Sequence, residues 1–240
     1  MERIPEPELM EEAEQALAYA GADFSEPHER FVELFAECFP ASALTGRVLD
    51  LGCGPGDISC RFARAHPSCT IEGVDGAAAM LAQGRALIIR QGLAERIHLH
   101  QLRLPCESLP AGPYEAVISN SLLHHLADPA VLWDAVDSAS QPGTRVFIMD
   151  LLRPASERQA RALVEQYAGG EAEILRHDFY HSLLAAYRPA EVAVQLAAAG
   201  LEQLAIRVVS DRHFIVYGGV QEKRYKMQGV EGRSRARPES

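Results

Sequence analysis

Val48-Leu49-Asp50-Leu51-Gly52-Cys53-Gly54-Pro55-Gly56-Asp57 reads as a buried strand that runs into a glycine-dense turn and then into a helix. Glycine removes the Cβ that would hold a ligand away from the backbone, and it accepts the positive φ that such a turn needs. A glycine turn alone is weak evidence of binding. It gains weight from Asp75, 23 residues after Gly52, at the end of the next expected strand, Thr70-Ile71-Glu72-Gly73-Val74-Asp75. An acid there can accept hydrogen bonds from both hydroxyls of a ribose. Outward from this pair, short apolar runs at 48–51, 71–74, 97–102, 116–119 and 145–149 alternate with amphipathic stretches at 58–65, 77–91 and 129–139. That alternation argues for an α/β fold, with a mostly parallel sheet and crossover helices on both faces.

The flanks extend this frame. Leu9, Ala13, Ala16 and Leu17 have helical spacing over 9–19, and a second helix starts after Ser25-Glu26-Pro27, with Phe31, Leu34, Phe35 and Cys38 on one face and Pro40 at its end. Beyond the fifth strand a helical region is expected at 156–187, then a helix at 189–199 with Pro189 in its first turn and Gly200 at its end. Runs at 204–209 and 213–217, joined by Ser210-Asp211-Arg212, would close the sheet as a hairpin and bring it to seven strands. The expected organisation is a helical cap at 1–44, a binding domain at 45–219 with a helical insertion at about 154–188, and a basic tail at 220–240 without apolar periodicity.

Composition narrows the class. A chain of 240 residues that is 48% hydrophobic and 23% charged can bury one sizeable core. The stretch 1–10 carries Glu2, Glu6 and Glu8 with Pro5 and Pro7 where a signal peptide would be basic then apolar, and no apolar run reaches membrane-spanning length, so a cytoplasmic protein without membrane contact is expected. Cys38, Cys53, Cys60, Cys69 and Cys106 form no CxxC pair, which suggests neither a disulfide framework nor a zinc site, and no metal is expected. The net charge is −10; residues 222–240 hold six Lys or Arg against three Glu, which leaves 17 basic and 30 acidic residues in the body, a net −13. Such a body repels a phosphate backbone and argues against nucleic acid as partner.

The turn is GxGxG rather than the GxGxxG of dinucleotide enzymes, and Asp50 precedes it by two residues. A carboxylate at that mouth is adverse for a pyrophosphate but suits a ligand that bears an ammonium and a sulfonium, which points to S-adenosylmethionine (SAM). Val48 to Asp57, Val74-Asp75, Tyr114 to Pro129 (YEAVISNSLLHHLADP) and Pro142 to Asp150 (PGTRVFIMD) resemble the successive motifs of class I SAM-dependent methyltransferases. The resemblance is strong over about residues 45–150 and weaker to about 219. It implies a Rossmann-like methyltransferase fold with an N-terminal helical lid. It also implies that Gly52, Cys53, Gly54 and Gly56 line the methionine part of SAM, with Asp50 near the amino group, Asp75 on the ribose, and Gly76 and Met80 against the adenine. Many members place an acid on the adenine amino group where this chain has Leu102, so that edge departs from the pattern. Asn120 and Ser121 would sit beside the reacting methyl.

Methyl transfer asks mainly for alignment, and a base only if the acceptor must lose a proton. Asn120, His124, Tyr180 and His181 are the candidates for that chemistry, and Tyr19, Phe24, Asp150, Tyr180 and Tyr187 for the acceptor's surroundings. Each has an alternative. His124 and His125 could pack or cap before Asp128-Pro129, Tyr180 and His181 could belong to an ordinary amphipathic helix, Tyr19 and Phe24 to a core helix, and Asp150 could cap the segment that follows it. The expected activity is transfer of a methyl group to a small molecule with release of S-adenosylhomocysteine, by a monomer or homodimer. The alternative keeps the fold but makes SAM react with itself, for example by closing to azetidine-2-carboxylate with loss of methylthioadenosine.

Overall fold

Seven strands form one sheet in the order β3-β2-β1-β4-β5-β7-β6, comprising β1 (Arg47–Leu51), β2 (Thr70–Asp75), β3 (Ile97–Gln101), β4 (Tyr114–Asn120), β5 (Arg145–Leu151), β6 (Ala205–Val208) and β7 (His213–Gly219). The first five are mutually parallel, and β7 runs antiparallel to both β5 and β6. The computed structural model describes residues 1–6, 13–40 and 43–221. Leu9 and the basic tail from 222 onward lie outside the described residues. Strands β1 and β5 are buried along nearly their whole length, because helices cover both faces, and this is why they read as apolar runs rather than as alternations.

The helices are α1 (Ala13–Gly21), α2 (Ser25–Cys38), α3 (Asp57–Ala65), α4 (Ala78–Arg90), α5 (Ala130–Ala139), α6 (Glu157–Ala168), α7 (Glu173–Ala185) and α8 (Pro189–Ala198). Because side chains alternate along a strand, Leu49 and Ile148 face Trp133 and Leu196 on one side of the sheet, while Val48 and Phe147 face Phe31, Phe35 and Phe62 on the other. The ring of Phe31 meets Phe147 edge-on at 4.9 Å, and Phe35 meets Phe62 at 4.8 Å. Each fully buried Phe contributes about 2–3 kcal/mol of transfer free energy. Helix α2 is therefore a core element, and α1 is the N-terminal helix that sets its Tyr19 over the carboxyl ends of the strands.

The helical region expected at 156–187 is two helices, split where Gly169 and Gly170 interrupt the periodicity. Ser156 caps α6 by accepting a hydrogen bond from the Gln159 amide at 3.3 Å. Helix α8 starts on Pro189 and stops before Gly200 at φ +71°. Residues 1–6, expected as part of a helical cap, are not helical. They run alongside α7, with the Ile4 amide on the Leu184 carbonyl at 3.0 Å. The Arg3 guanidinium donates to the carbonyls of Ala185, His124 and Leu126 at 2.6, 2.9 and 3.0 Å. No helix among the described residues is long and apolar enough to cross a membrane.

Candidate active site

The carboxyl ends of β1, β2 and β4 open into a crevice at the point where the strand order reverses, between β1 and β4. The amides of Gly52 and Cys53 both donate to the Val74 carbonyl, at 2.9 and 3.0 Å, so the glycine turn folds across the end of β2. Gly54 sits at φ +51°, and a Cβ there would meet nothing within 4 Å, because that side is open crevice. Gly52 at φ +71° is different: its Cβ would lie 2.9 Å from the Leu122 side chain. One glycine leaves room for a ligand and the other leaves room for the protein.

Asp75 accepts from the Gly54 amide at 2.9 Å through Oδ2 and from the Ala77 amide at 2.8 Å through Oδ1. Each oxygen keeps a second lone pair for an incoming hydroxyl. Burial pushes this carboxyl above its usual range, against those two amides. Asp50 is almost wholly buried and accepts from the Ser59 hydroxyl at 2.5 Å. Burial raises its pKa to about 7, with Asp75 adding to the rise and Ser59 opposing it. The fixed negative charge that the sequence suggested at this position is thus only partly ionised near neutrality, and an arriving cation would complete the ionisation.

All the residues expected around the cofactor line this crevice except Gly56: Asp50, Gly52, Cys53, Gly54, Asp75, Gly76, Met80, Leu102, Asn120 and Ser121. Gly56 instead closes the turn. Its amide donates to the Cys53 carbonyl at 2.9 Å, and at φ +75° it leads into α3. The Asn120 Oδ1 atom is buried without a hydrogen-bond partner. Ser121 has a positive φ of 57°, and its amide donates to the Met149 carbonyl at 2.9 Å. An orphaned acceptor and a strained residue side by side are features that concentrate where ligands bind.

Asp57, His28 and His125 are among the lining residues not read from the sequence in this role. Asp57 belongs to the glycine motif; burial alone would raise its pKa, but His28 at 2.7 Å and Arg61 at 2.7 Å outweigh burial and hold it low. His28 arrives from α2, which no local motif announces. His125 lines the crevice as well as the neighbouring cavity. Tyr19, expected near the acceptor, lines both, and burial, helped by Asp57 and Asp75, pushes its phenol up to about 12.

A second cavity adjoins the first and shares Tyr19, His28, Asn120, Ser121 and His125 with it. Phe24, Met149, Leu151, Leu175 and Phe179 give it apolar walls; His124, Asp178, Arg212 and His213 give it polar ones. Burial, with Arg212 close by, pushes His213 down to about 4, so its imidazole is neutral at physiological pH. The Arg212 guanidinium lies 3.3 Å over the Tyr167 ring and pairs with Glu26 at 3.1 Å.

Several expected acceptor-site residues stand elsewhere. On α7 the positions facing the chamber are Leu175, Asp178, Phe179 and Ser182, spaced as one helical stripe. Tyr180 and His181 point off that stripe. The Tyr180 hydroxyl donates to Glu157 at 3.2 Å with Arg161 over its ring, and His181 packs against His177 at 4.3 Å. Tyr187 is buried away from the cavity, with its hydroxyl 3.4 Å from the Leu126 carbonyl and Arg3 over its ring. Asp150 does not face the chamber either. It accepts from the amides of Leu123 and Leu151, each at 2.8 Å, and holds His124 Nδ1 at 2.7 Å. His124 does line the chamber. Burial opposes its protonation, but the Asp150 carboxylate outweighs burial and raises its pKa.

Residues 20–206 match the sequence family described as "Methyltransferase domain". The ubiquinone biosynthesis O-methyltransferase of Bordetella pertussis is 32% identical over 173 residues, which cover 70% of this chain and 67% of that protein. An uncharacterized protein of Synechococcus sp. is 32% identical over 125 residues, 51% of this chain but 30% of that protein, so the chain spans under a third of that relative's length. Among solved structures, a putative SAM-dependent methyltransferase from Methanococcus maripaludis superposes with a TM-score of 0.66 at 14% identity, covering 92% of this chain and 99% of the other. That likeness is one of fold. Methyl transfer is the activity stated in the names of the Bordetella and Methanococcus proteins, and neither name supports a reaction of SAM with itself.

Proposed function

The chain belongs to the family of SAM-dependent methyltransferases, and from that premise we propose that it methylates a small molecule held in the chamber beside the cofactor crevice. The observation that carries this reading is the shared seam: Asn120 and Ser121 line both cavities, so a group bound on one side comes within reach of a group bound on the other. SAM supplies an activated methyl on a sulfonium. The residues present fit it. Asp50 and the unpartnered Asn120 Oδ1 suit its amino group, Gly52, Cys53 and Gly54 its methionine part, Asp75 its ribose, and Gly76, Met80 and Leu102 its adenine.

The protein's own work is then to bind, to align and to keep water out. Tyr19, from α1, covers the join between the cavities, and Phe24, Leu151, Leu175 and Phe179 favour an acceptor with substantial apolar surface. The relatives named as O-methyltransferases support an oxygen as the accepting atom. The net −13 of the body favours a small molecule over nucleic acid. The five cysteines, all free, suit the cytoplasm.

The test has two stages. Isothermal titration with S-adenosylhomocysteine should give saturable binding at one site per chain. A panel of hydroxylated aromatic compounds, incubated with SAM and the enzyme, should then yield S-adenosylhomocysteine only with some of its members. Release of methylthioadenosine without any acceptor, or turnover with RNA alone, would end the small-molecule reading.

A further inference from the structure

The chamber floor contains a cluster that methyl transfer does not require. Glu6, from the segment that runs alongside α7, meets His124 and His125 of the 3₁₀ turn that follows β4 (Leu123–His125). The Glu6 Oε1 atom lies 3.1 Å from His125 Nδ1 and 3.6 Å from His124 Nε2, and the donor atoms of all three residues lie within 4.8 Å of one another. We propose that these three side chains form a binding site for a borderline divalent metal ion, with its open coordination positions directed into the chamber.

Three observations support the site as built rather than incidental. First, Asp150 holds His124 Nδ1 at 2.7 Å, which assigns that nitrogen the proton and turns the Nε2 lone pair toward Glu6. A carboxylate behind a histidine is the recurrent way a ligating imidazole is oriented and made more basic. Second, Glu6 is held in place: Ser182 Oγ donates to its two carboxylate oxygens at 3.0 and 3.3 Å, and three carbonyls anchor Arg3, three residues before it. Third, the spacing suits a common centre. Ligand atoms about 2.0–2.2 Å from one ion lie roughly 3–4 Å apart, so a slight inward turn of the two rings completes the set.

Three protein ligands rather than four leave positions free, as in catalytic rather than structural sites. Two imidazole nitrogens and one carboxylate select a zinc-like ion over magnesium or calcium, which demand oxygen. His124 and His125 both line the chamber beside Asn120 and Ser121, so the free positions open toward the space proposed for the acceptor. An acceptor hydroxyl seated there would be polarised and positioned at once. The site itself needs no assumption about which reaction follows. No local motif announces the site, because the carboxylate lies 118 residues before the first of the histidines.

Cobalt(II) serves as the probe. The full-length protein, freed of metal with a chelator, is titrated with Co²⁺ and followed by its visible absorption and by calorimetry. The expected result is one ion per chain. Glu6→Gln and His125→Asn should each weaken binding at least about tenfold, and Asp150→Asn, which leaves all three ligands in place, should weaken it less. Far-UV circular dichroism checks each variant. Should one not fold, Ser182→Ala, which removes only the anchor of Glu6, takes its place and should show a smaller loss. Wild-type protein without saturable cobalt uptake, or E6Q and H125N variants that bind it as tightly as wild type, would overturn the site. S-adenosylhomocysteine affinity, measured on the same preparations, reports separately on the cofactor crevice.

Discussion

The crevice proposed for the cofactor and the chamber proposed for the acceptor share a wall but are made in different ways. The crevice comes largely from strand ends and the turns that directly follow them, with Asp50 to Asp57 after β1, Asp75 to Met80 after β2, and Asn120 to Leu122 after β4. The chamber gathers Phe24 from the start of α2, Phe179 from α7 and His213 from β7, segments with no neighbourhood in sequence. The first is a property of a motif, and the second is a property of the whole fold. A protein built this way can keep its cofactor while its acceptor changes, because the two sets of residues meet only at a few positions.

That contrast can be attacked by substitution, and the largest effect is expected in the crevice. Gly54→Val should weaken SAM binding by about a hundredfold or more, since a side chain there is strained at positive φ and fills the open face. Calorimetric titration measures this, and an unchanged far-UV spectrum would show that the sheet survives. Asp75→Asn should cost about ten- to a hundredfold in SAM affinity, the range of about 1.5–3 kcal/mol for hydrogen bonds to a charged group.

The pH dependence of cofactor binding sharpens the same point. Asp50, raised to about 7, is largely protonated below that pH, and a ligand bearing an ammonium must displace the proton. SAM affinity should therefore fall about tenfold per unit as pH drops below 7 and level off above it, and Asp50→Asn should abolish the slope. The stability consequence has the opposite sense. A carboxyl whose folded pKa exceeds its unfolded value favours the fold at low pH and loses that advantage as pH rises from about 4 to 7. In thermal melts of the ligand-free protein above pH 7, Asp50→Asn should accordingly melt higher than wild type.

In the chamber the effects should be smaller and of another kind. Phe179→Ala should lower kcat/KM for the acceptor about tenfold and leave SAM affinity unchanged. Tyr180→Ala, one residue further along α7 but turned outward, should change neither by more than about twofold. Equal effects of the two would break the distinction drawn here. At the seam, Ser121→Gly should stabilise the fold by about 1 kcal/mol by relieving its positive φ, a rise of about 2–4 °C in Tm that scanning calorimetry resolves.

The same division governed what could be read from the chain. Strands buried on both faces, a turn that only glycines tolerate and an acid one strand away are local patterns, and Gly54, Asp75 and Met80 all stand in the crevice. The closing hairpin was legible from its β-rich runs and short link. What failed was orientation. Tyr180 and His181 carry the right chemistry, yet one residue on a helix turns a side chain by roughly 100°, and the stripe that faces inward runs through Phe179 and Ser182 instead. Asp150 was legible as important but not as the partner of His124, because that contact depends on the 3₁₀ turn at Leu123–His125. Gly56 lies within the motif and still serves the backbone alone. Glu6 had no signal at all, since only the completed fold brings it to the histidines.

Ser121 has a mirror-image backbone at the junction of the two cavities. The peptide it shares with Asn120 is a wall common to two rooms, so a rotation of it for one occupant would reshape the space of the other. Were one guest to impose a preference on that peptide, the second would return it in equal measure.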